Sequence, residues 1–332
     1  MQSHILKNSY NAGKGMLRVG IAGCGLIGRT HAHCYNAIKD KVIVVAIADI
    51  CPEKAQRVAK HFENVSIYTD AMQMLENEKL DILDICLPTY LHTDYAVSAM
   101  KKGMNVFIEK PVCLTKKESE LLLDAEKKTG VKVGVGHVIR FWDEYMWLKE
   151  AKEKGTYGKL VSLSLTRLSS NPSWSWQNWY SDKAKSGGVP MDLHIHDADF
   201  VRYLMDDNPD EITAKTTKDS SGMIREIDVI YTYGDTLISA VGIWDMPKGF
   251  PFGMSFRAKF EKAAAIYENE VLTLYTDDGK VTTVTFENGR DGYERELSEF
   301  ADYVMGTDGA RIATLSEAVD SAKLVWQEVN NK

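Results

Sequence analysis

Arg18-Val19-Gly20-Ile21-Ala22-Gly23-Cys24-Gly25-Leu26-Ile27-Gly28 decides how this chain folds. Five residues of strand character run into a G-x-G-x-x-G turn. A helical stripe of Ile27, His31, Cys34 and Ile38 follows. A glycine turn alone says little, but one that leaves a strand and opens a helix is placed for dinucleotide binding. Gly23 permits the tight turn, Gly25 lets a pyrophosphate approach the backbone, and Gly28 lets helix and strand pack closely. Leu26 and Ile27 begin the helix, whose unpaired N–H groups attract phosphate. Asp49 lies 21 residues beyond Gly28, at the end of the β-branched run 42–48. A carboxylate there accepts hydrogen bonds from an adenosine ribose diol and repels a 2′-phosphate, which favours NAD. Lys54 and Arg57, just downstream, leave NADP open.

Working outward, strand-like runs at 82–87, 106–108 and 131–133 alternate with helical patterns at 92–102 and 115–128, the rhythm of a parallel sheet covered on both faces. After about residue 140 the pattern becomes period-two: Val161, Leu163 and Leu165 alternate with Ser162, Ser164 and Thr166. Similar runs follow at 227–233, 236–244, 252–260, 263–268, 271–275 and 281–286, with Asp278-Gly279 and Asn288-Gly289 as turns. A last helix carries Leu315, Val319, Ala322, Trp326 and Val329 on one stripe, with Ser316 as its expected N-cap. The expected architecture is α/β: a tail over 1–16, a Rossmann dinucleotide-binding domain over 17–137, and an α+β domain over 138–330 with an open, mostly antiparallel sheet.

Two clusters carry chemistry. Glu109-Lys110-Pro111 closes a strand at the edge where ligands bind in parallel sheets, and a lysine there can exchange a proton with a hydroxyl. Pro190 begins a helix on which Asp192, His196 and Asp199 recur at i, i+4, i+7, placing a carboxylate beside an imidazole. His194 and His196 point apart on a helix, so no metal site is expected. Trp174, Trp176 and Trp179, interleaved with Ser, Gln and Asn, suit the C–H faces and hydroxyls of a sugar or cyclitol ring. A loop core or subunit contact explains them equally well. His92, Arg140 and Arg167 are further candidates for the cleft.

The bulk properties bound the class. A net charge of −7 opposes binding to nucleic acid, and the longest apolar run, seven residues, is far below the roughly 20 needed to cross a bilayer. Five cysteines with no C-x-x-C read as buried, reduced thiols. The start lacks an apolar leader segment, so a soluble, cytoplasmic enzyme is expected.

Taken together, the chain resembles the Gfo/Idh/MocA oxidoreductase family, which includes glucose–fructose oxidoreductase and inositol dehydrogenase. The resemblance rests on the glycine turn, Pro88-Thr89-Tyr90-Leu91-His92, Glu109-Lys110-Pro111, Gly187-Gly188, Asp192-x-x-x-His196-x-x-Asp199, and Tyr293 through Phe300. It implies an NAD(P)-dependent dehydrogenase acting on a secondary alcohol of a sugar, inositol or related polyol. Lys110, Asp192 and His196 would be catalytic, with Pro88, His92 and Glu109 joining the glycine turn and Asp49 around the cofactor. Substrate contacts are expected from His137, Arg140, Arg167 and the three tryptophans, and a homodimer or homotetramer through the second sheet. Where the family often has glycine, this chain has His194, which would set a second imidazole near the pocket. Two other readings stay open: an enzyme that retains NAD and cycles it without net oxidation of its sugar, and a cofactor-binding sensor without catalysis.

Overall fold

The structure, a computed structural model, describes residues 15–172, 175–286 and 291–330. Most of the expected tail, Trp174 and the Asn288-Gly289 turn lie outside them. The first half alternates strand and helix: β1 (Leu17–Ala22), α1 (Leu26–Ala37), β2 (Val42–Ala48), α2 (Pro52–Ala59), β3 (Ser66–Tyr68), α3 (Ala71–Asn77), β4 (Ile82–Ile85), α4 (His92–Lys101), β5 (Asn105–Glu109), α5 (Lys116–Thr129) and β6 (Val133–Gly136). These six strands are parallel in the order β3-β2-β1-β4-β5-β6, the Rossmann arrangement. Strand order reverses between β1 and β4, and ligands in such sheets bind beyond the carboxyl ends of those strands. β6 starts two residues later than the apolar pattern indicated. Gly130 closes α5 in the left-handed region, and the N–H of Lys132 is taken by the Asn105 side chain.

The second half builds α6 (Asp143–Lys154), β7 (Leu160–Ser170), α7 (Lys183–Ser186), α8 (Ile195–Met205), β8 (Glu211–Lys218), β9 (Ile224–Tyr233), β10 (Thr236–Met246), β11 (Gly253–Phe260), β12 (Ala263–Glu268), β13 (Val271–Thr276) and β14 (Val281–Val284). They form one eight-stranded sheet, order β14-β13-β12-β11-β7-β10-β9-β8, antiparallel except for β7 with β10. β8 was not legible as a strand: it lies at the sheet edge, with only Ile212 and Ala214 as alternating apolar residues. One face packs α6 and α8 over a core that includes Tyr145, Phe200, Phe256 and Trp244. The other face is open.

The chain then returns to the first sheet through α9 (Gly292–Met305), β15 (Ala313–Thr314) and α10 (Leu315–Asn330). Pattern alone assigned all of 138–330 to one unit. In the structure Leu297, Phe300, Ala301 and Val304 of α9 sit in the core against α1 and β1, and β15 pairs antiparallel with β6. α10 spans both halves, with Leu315, Ala318 and Val319 in a first-domain core and Ala322, Leu324 and Val325 in the second. Its cap is Thr314 rather than Ser316: the Thr314 hydroxyl accepts from the Glu317 N–H, and the Glu317 carboxylate accepts from the Thr314 N–H. All five cysteines are free thiols, four of them buried. Among the described residues no helix is long and apolar enough to cross a membrane.

Phe300 is the main anchor of the return. Its ring packs 5.1 Å from that of Phe107, and a Cβ on Gly134 would lie 2.5 Å from it. Phe300→Ala is expected to destabilise the protein by about 3–5 kcal/mol, measured as a lowered urea midpoint.

Candidate active site

A cleft of about 860 Å³ opens at the carboxyl ends of β1, β2, β4 and β5, at the upper end of the size range of ligand pockets. Its first wall is the glycine turn. Gly23 holds φ +98°, and a Cβ there would meet the Cys86 carbonyl at 2.4 Å. A Cβ on Gly28 would lie 1.9 Å from the Gly23 oxygen, so α1 and the turn touch backbone to backbone. Nothing lies within 4 Å of a Cβ on Gly25, which leaves its backbone open to a ligand. Gly25 caps α1 without a side-chain hydrogen bond, so the first-turn N–H groups are left for a ligand's phosphate oxygens. Asp49 lines the cleft and ties the turn to β2: its carboxylate accepts from the N–H of Cys24 (2.7 Å) and of Cys51 (2.8 Å). Leu26, Ile27, Pro88 and Glu109 line it as well. These features fit a dinucleotide.

The opposite wall comes from the second domain. Gly187 and Gly188, both at positive φ, lead into a single π-helical turn, Pro190–His194, that continues as α8. The uniform α-helix read from the sequence is therefore corrected. The wider turn leaves Asp192 and His196 in the cleft, while Asp199 is wholly buried elsewhere. Asp192 is not hydrogen-bonded to His196. It takes the ammonium of Lys110, whose Nζ lies 3.1 Å from its Oδ1 and 2.8 Å from its backbone carbonyl. The Tyr180 hydroxyl also faces Asp192, and burial and then that carboxylate push its pKa well up. Burial, followed by the positive charge of Lys110, holds the His196 pKa well below the usual histidine value. The imidazole is thus neutral near pH 7, and its Nδ1 has no hydrogen-bond partner among the described residues.

Several expected contacts fall elsewhere. His92 is buried outside the cleft lining, with its ring nitrogens against the carbonyls of Leu87 (2.8 Å) and Pro111 (3.0 Å); it braces the two loops that do line it. Arg140 makes a buried two-pronged pair with Asp199, both contacts 2.8 Å, and its guanidinium lies over the Tyr203 ring. Arg167 pairs in the same way with Asp197. A buried carboxylate needs such a partner more than a substrate does. His137 is buried beside Asp199, and burial pushes its pKa down to about 4. His194 turns away from the cleft to Tyr231 (3.1 Å) and Glu328 (3.0 Å). Trp176 and Trp179 do line the cleft. Lys54 lies 4.8 Å from the Trp176 ring centre, while Trp179 stacks on Tyr180 and meets Tyr90 edge-on.

Sequence reasoning missed Tyr180 and Tyr293, which also line the cleft, and a buried cluster of His31, Asp84 and Cys86. An acid inside the apolar strand Ile82–Ile85 was the available signal for that cluster. Three donor atoms come within 4.8 Å of one another there, and the 2.9 Å from His31 Nδ1 to Asp84 Oδ2 is a hydrogen bond.

With this geometry in place, comparison with known proteins decides the family. A profile described as an oxidoreductase family with an NAD-binding Rossmann fold matches residues 17–137, and the GFO/IDH/MocA C-terminal domain matches 145–323. The chain belongs to the Gfo/Idh/MocA oxidoreductase family. Among its relatives is a myo-inositol 2-dehydrogenase of Thermotoga maritima, 27 % identical over 86 % of this chain and 87 % of that one. Another is a scyllo-inositol 2-dehydrogenase (NAD(+)) of Bacillus subtilis, 26 % identical over 73 % and 70 %. A levoglucosan dehydrogenase solved with NADH and levoglucosan shares the fold, with a TM-score of 0.82 and 19 % identity over 94 % and 96 % of the two chains. This oxidoreductase accordingly uses NAD, and the glycine-turn half of the cleft matches that cofactor.

The two glycines separate fold from binding. Gly28→Ala is expected to lose roughly 1–3 kcal/mol of stability or more, read from the urea midpoint. Gly25→Ala is expected to leave the midpoint within about 0.5 kcal/mol while weakening NAD in calorimetric titration.

Proposed function

We propose that the protein is an NAD-dependent dehydrogenase that oxidises a secondary alcohol of a cyclic polyol or sugar, with Lys110, Asp192 and His196 as its proton-handling set. The observation that carries this reading is the convergence of the three residues, from two domains, on one wall of the cleft. NAD, when bound, supplies the acceptor for hydride. Protein groups must then orient the alcohol and remove its proton. His196 is suited to accept it, because a neutral imidazole with a depressed pKa stays unprotonated well into the acid range. Lys110, held by Asp192, presents a positive charge to the oxygen as negative charge develops there. Trp176, Trp179 and Tyr180 supply aromatic faces and a hydroxyl for a ring-shaped polyol. Asp49, at the end of β2, favours NAD over NADP, and the lodging of Lys54 on Trp176 supports the same preference.

The open face of the second sheet supports assembly through like copies. Leu237 there is 51 % exposed beside the exposed Ile230, and Val271 and Tyr275 are exposed further along the same face. Five unpaired thiols suit a reducing compartment, the cytoplasm.

Lys110→Ala and His196→Ala are each expected to lower kcat by about 10²–10⁴-fold on a responsive polyol, followed at the absorbance of NADH, with NAD affinity retained. Normal turnover in both variants rejects the assignment. In the wild type, kcat/KM for oxidation should stay level to well below the ordinary histidine pKa. In Lys110→Met the acid limb of the residual activity should move to higher pH, since losing the neighbouring charge raises the His196 pKa. Leu237→Arg should yield a smaller species by light scattering with unchanged circular dichroism; an unchanged mass places the interface elsewhere.

A further inference from the structure

Asp84 stands among Ile82, Leu83 and Ile85 in β4 with no exposed surface. A carboxylate so placed persists only with a charged or hydrogen-bonding partner. That partner is His31, one turn beyond Gly28 on α1 and equally buried. Its Nδ1 lies 2.9 and 3.2 Å from the two Asp84 oxygens and 3.2 Å from Cys86 Sγ. Its other ring nitrogen, Nε2, lies 3.1 Å from Glu109 Oε1. Glu109 lines the cleft, and its second oxygen accepts the Lys110 N–H at 3.1 Å. Behind it, a Cβ on Gly136 would come within 2.8 Å of Glu109 Oε1, so the carboxylate fills a slot only glycine leaves open. The Phe107 ring closes one side of the imidazole edge-on at 5.7 Å.

The Nε2–Glu109 contact is at ion-pair distance without hydrogen-bond alignment. A neutral imidazole would turn a lone pair toward one of these two carboxylates, and only the imidazolium faces both with positive N–H groups. We propose that His31 is a positioning residue, an imidazolium clamped between Asp84 and Glu109 that keeps the Glu109 carboxylate ionised and fixed in the cleft wall beside Lys110. The remaining groups around it agree. From α1, the buried Tyr35 lies near Asp84, its hydroxyl without a hydrogen-bond partner among the described residues. From α9, Tyr293 and Glu296 approach, and burial and then Glu109 hold Glu296 protonated, so it adds no third negative charge. His137 faces Glu109 from beyond β6 and is neutral through burial. Burial lowers the His31 pKa, but the Asp84 carboxylate outweighs it and holds it well above the usual value, while burial keeps the Cys86 thiol protonated and uncharged. On Glu109, burial acts upward and is outweighed first by His31, then by Lys110.

The consequence, which rests on the cleft being the NAD site, is a fixed negative charge in its wall. The oxidised nicotinamide is cationic and the reduced form is neutral, so this anion favours binding of the oxidised form. Nitrogen-15 NMR of labelled histidine is expected to show an imidazole that stays protonated at both nitrogens well above the ordinary histidine pKa, a signal lost in His31→Gln and distinct from that of His194, which Glu328 holds up against burial. A neutral tautomer at His31 overturns the proposal, as does a stoichiometric metal ion held by His31, Asp84 and Cys86. Calorimetric NAD⁺ and NADH affinities provide the second readout. His31→Leu/Asp84→Leu replaces the buried pair without stranding either charge. There the NAD⁺ to NADH affinity ratio should fall about tenfold near neutral pH, one pKa unit's worth of interaction. It should recover as pH rises and Glu109 ionises unaided. His31→Gln, which can donate to one carboxylate, should fall between. A lower melting temperature with an unchanged ratio in both variants would mean a merely structural pair. None of these measurements uses the substrate, so they stand or fall apart from the polyol assignment.

Discussion

The ammonium of Lys110 on the carboxylate of Asp192 is the contact that holds the two sides of the cleft together. Each residue alone is ordinary: a lysine at the end of a parallel strand, an acid at the start of a helix. Their 3.1 Å separation joins the cofactor-binding sheet to the second domain at the floor of a single cleft. It also fixes the state of the neighbouring imidazole, because the positive charge of Lys110 adds to burial in keeping His196 unprotonated. A site assembled across two domains in this way is competent only when both are in register, and the backbone devices around it serve that register. The glycines before Asp192 and the π turn that carries it are local distortions of the kind that gather at functional sites.

Legibility in the sequence followed the range of the interaction. The glycine turn, Asp49 at the end of β2 and Lys110 at the end of β5 were readable because each is defined by its immediate neighbours. The open antiparallel sheet was readable from period-two alternation, except at β8, where the edge removes the alternation. Arg140 and Arg167 were misplaced because their partners lie 59 and 30 residues away, and no local pattern tells an arginine bound for substrate from one bound for a buried acid. The pairing of His31 with Asp84, 53 residues apart, could not be read for the same reason. The π turn left no trace, since one extra residue in a turn has no compositional signature.

α8 shows how buried charge shapes the second domain. Asp197 and Asp199 lie on opposite sides of one helix, each answered by an arginine from a different element, while His194 at its start meets Glu328 near the end of α10. Such pairs add little net stability compared with apolar packing, yet they tolerate no substitute partner, and this gives a helix one rotational setting. Rotational setting is what a residue at the cleft wall requires. Asp192 and His196 are placed as much by the buried acids Asp197 and Asp199 as by anything in the cleft.

The return of α9 and α10 to the first sheet bears on how the protein is made. Residues 17–137 contain a recognisable nucleotide-binding unit, but the face that buries Phe300 is completed only by the end of the chain. At about 5–20 residues per second of synthesis, that apolar face waits roughly 10–30 s for its cover. Folding on the ribosome therefore cannot finish domain by domain. The nascent first half must be shielded, or held loosely collapsed, until the last helices emerge.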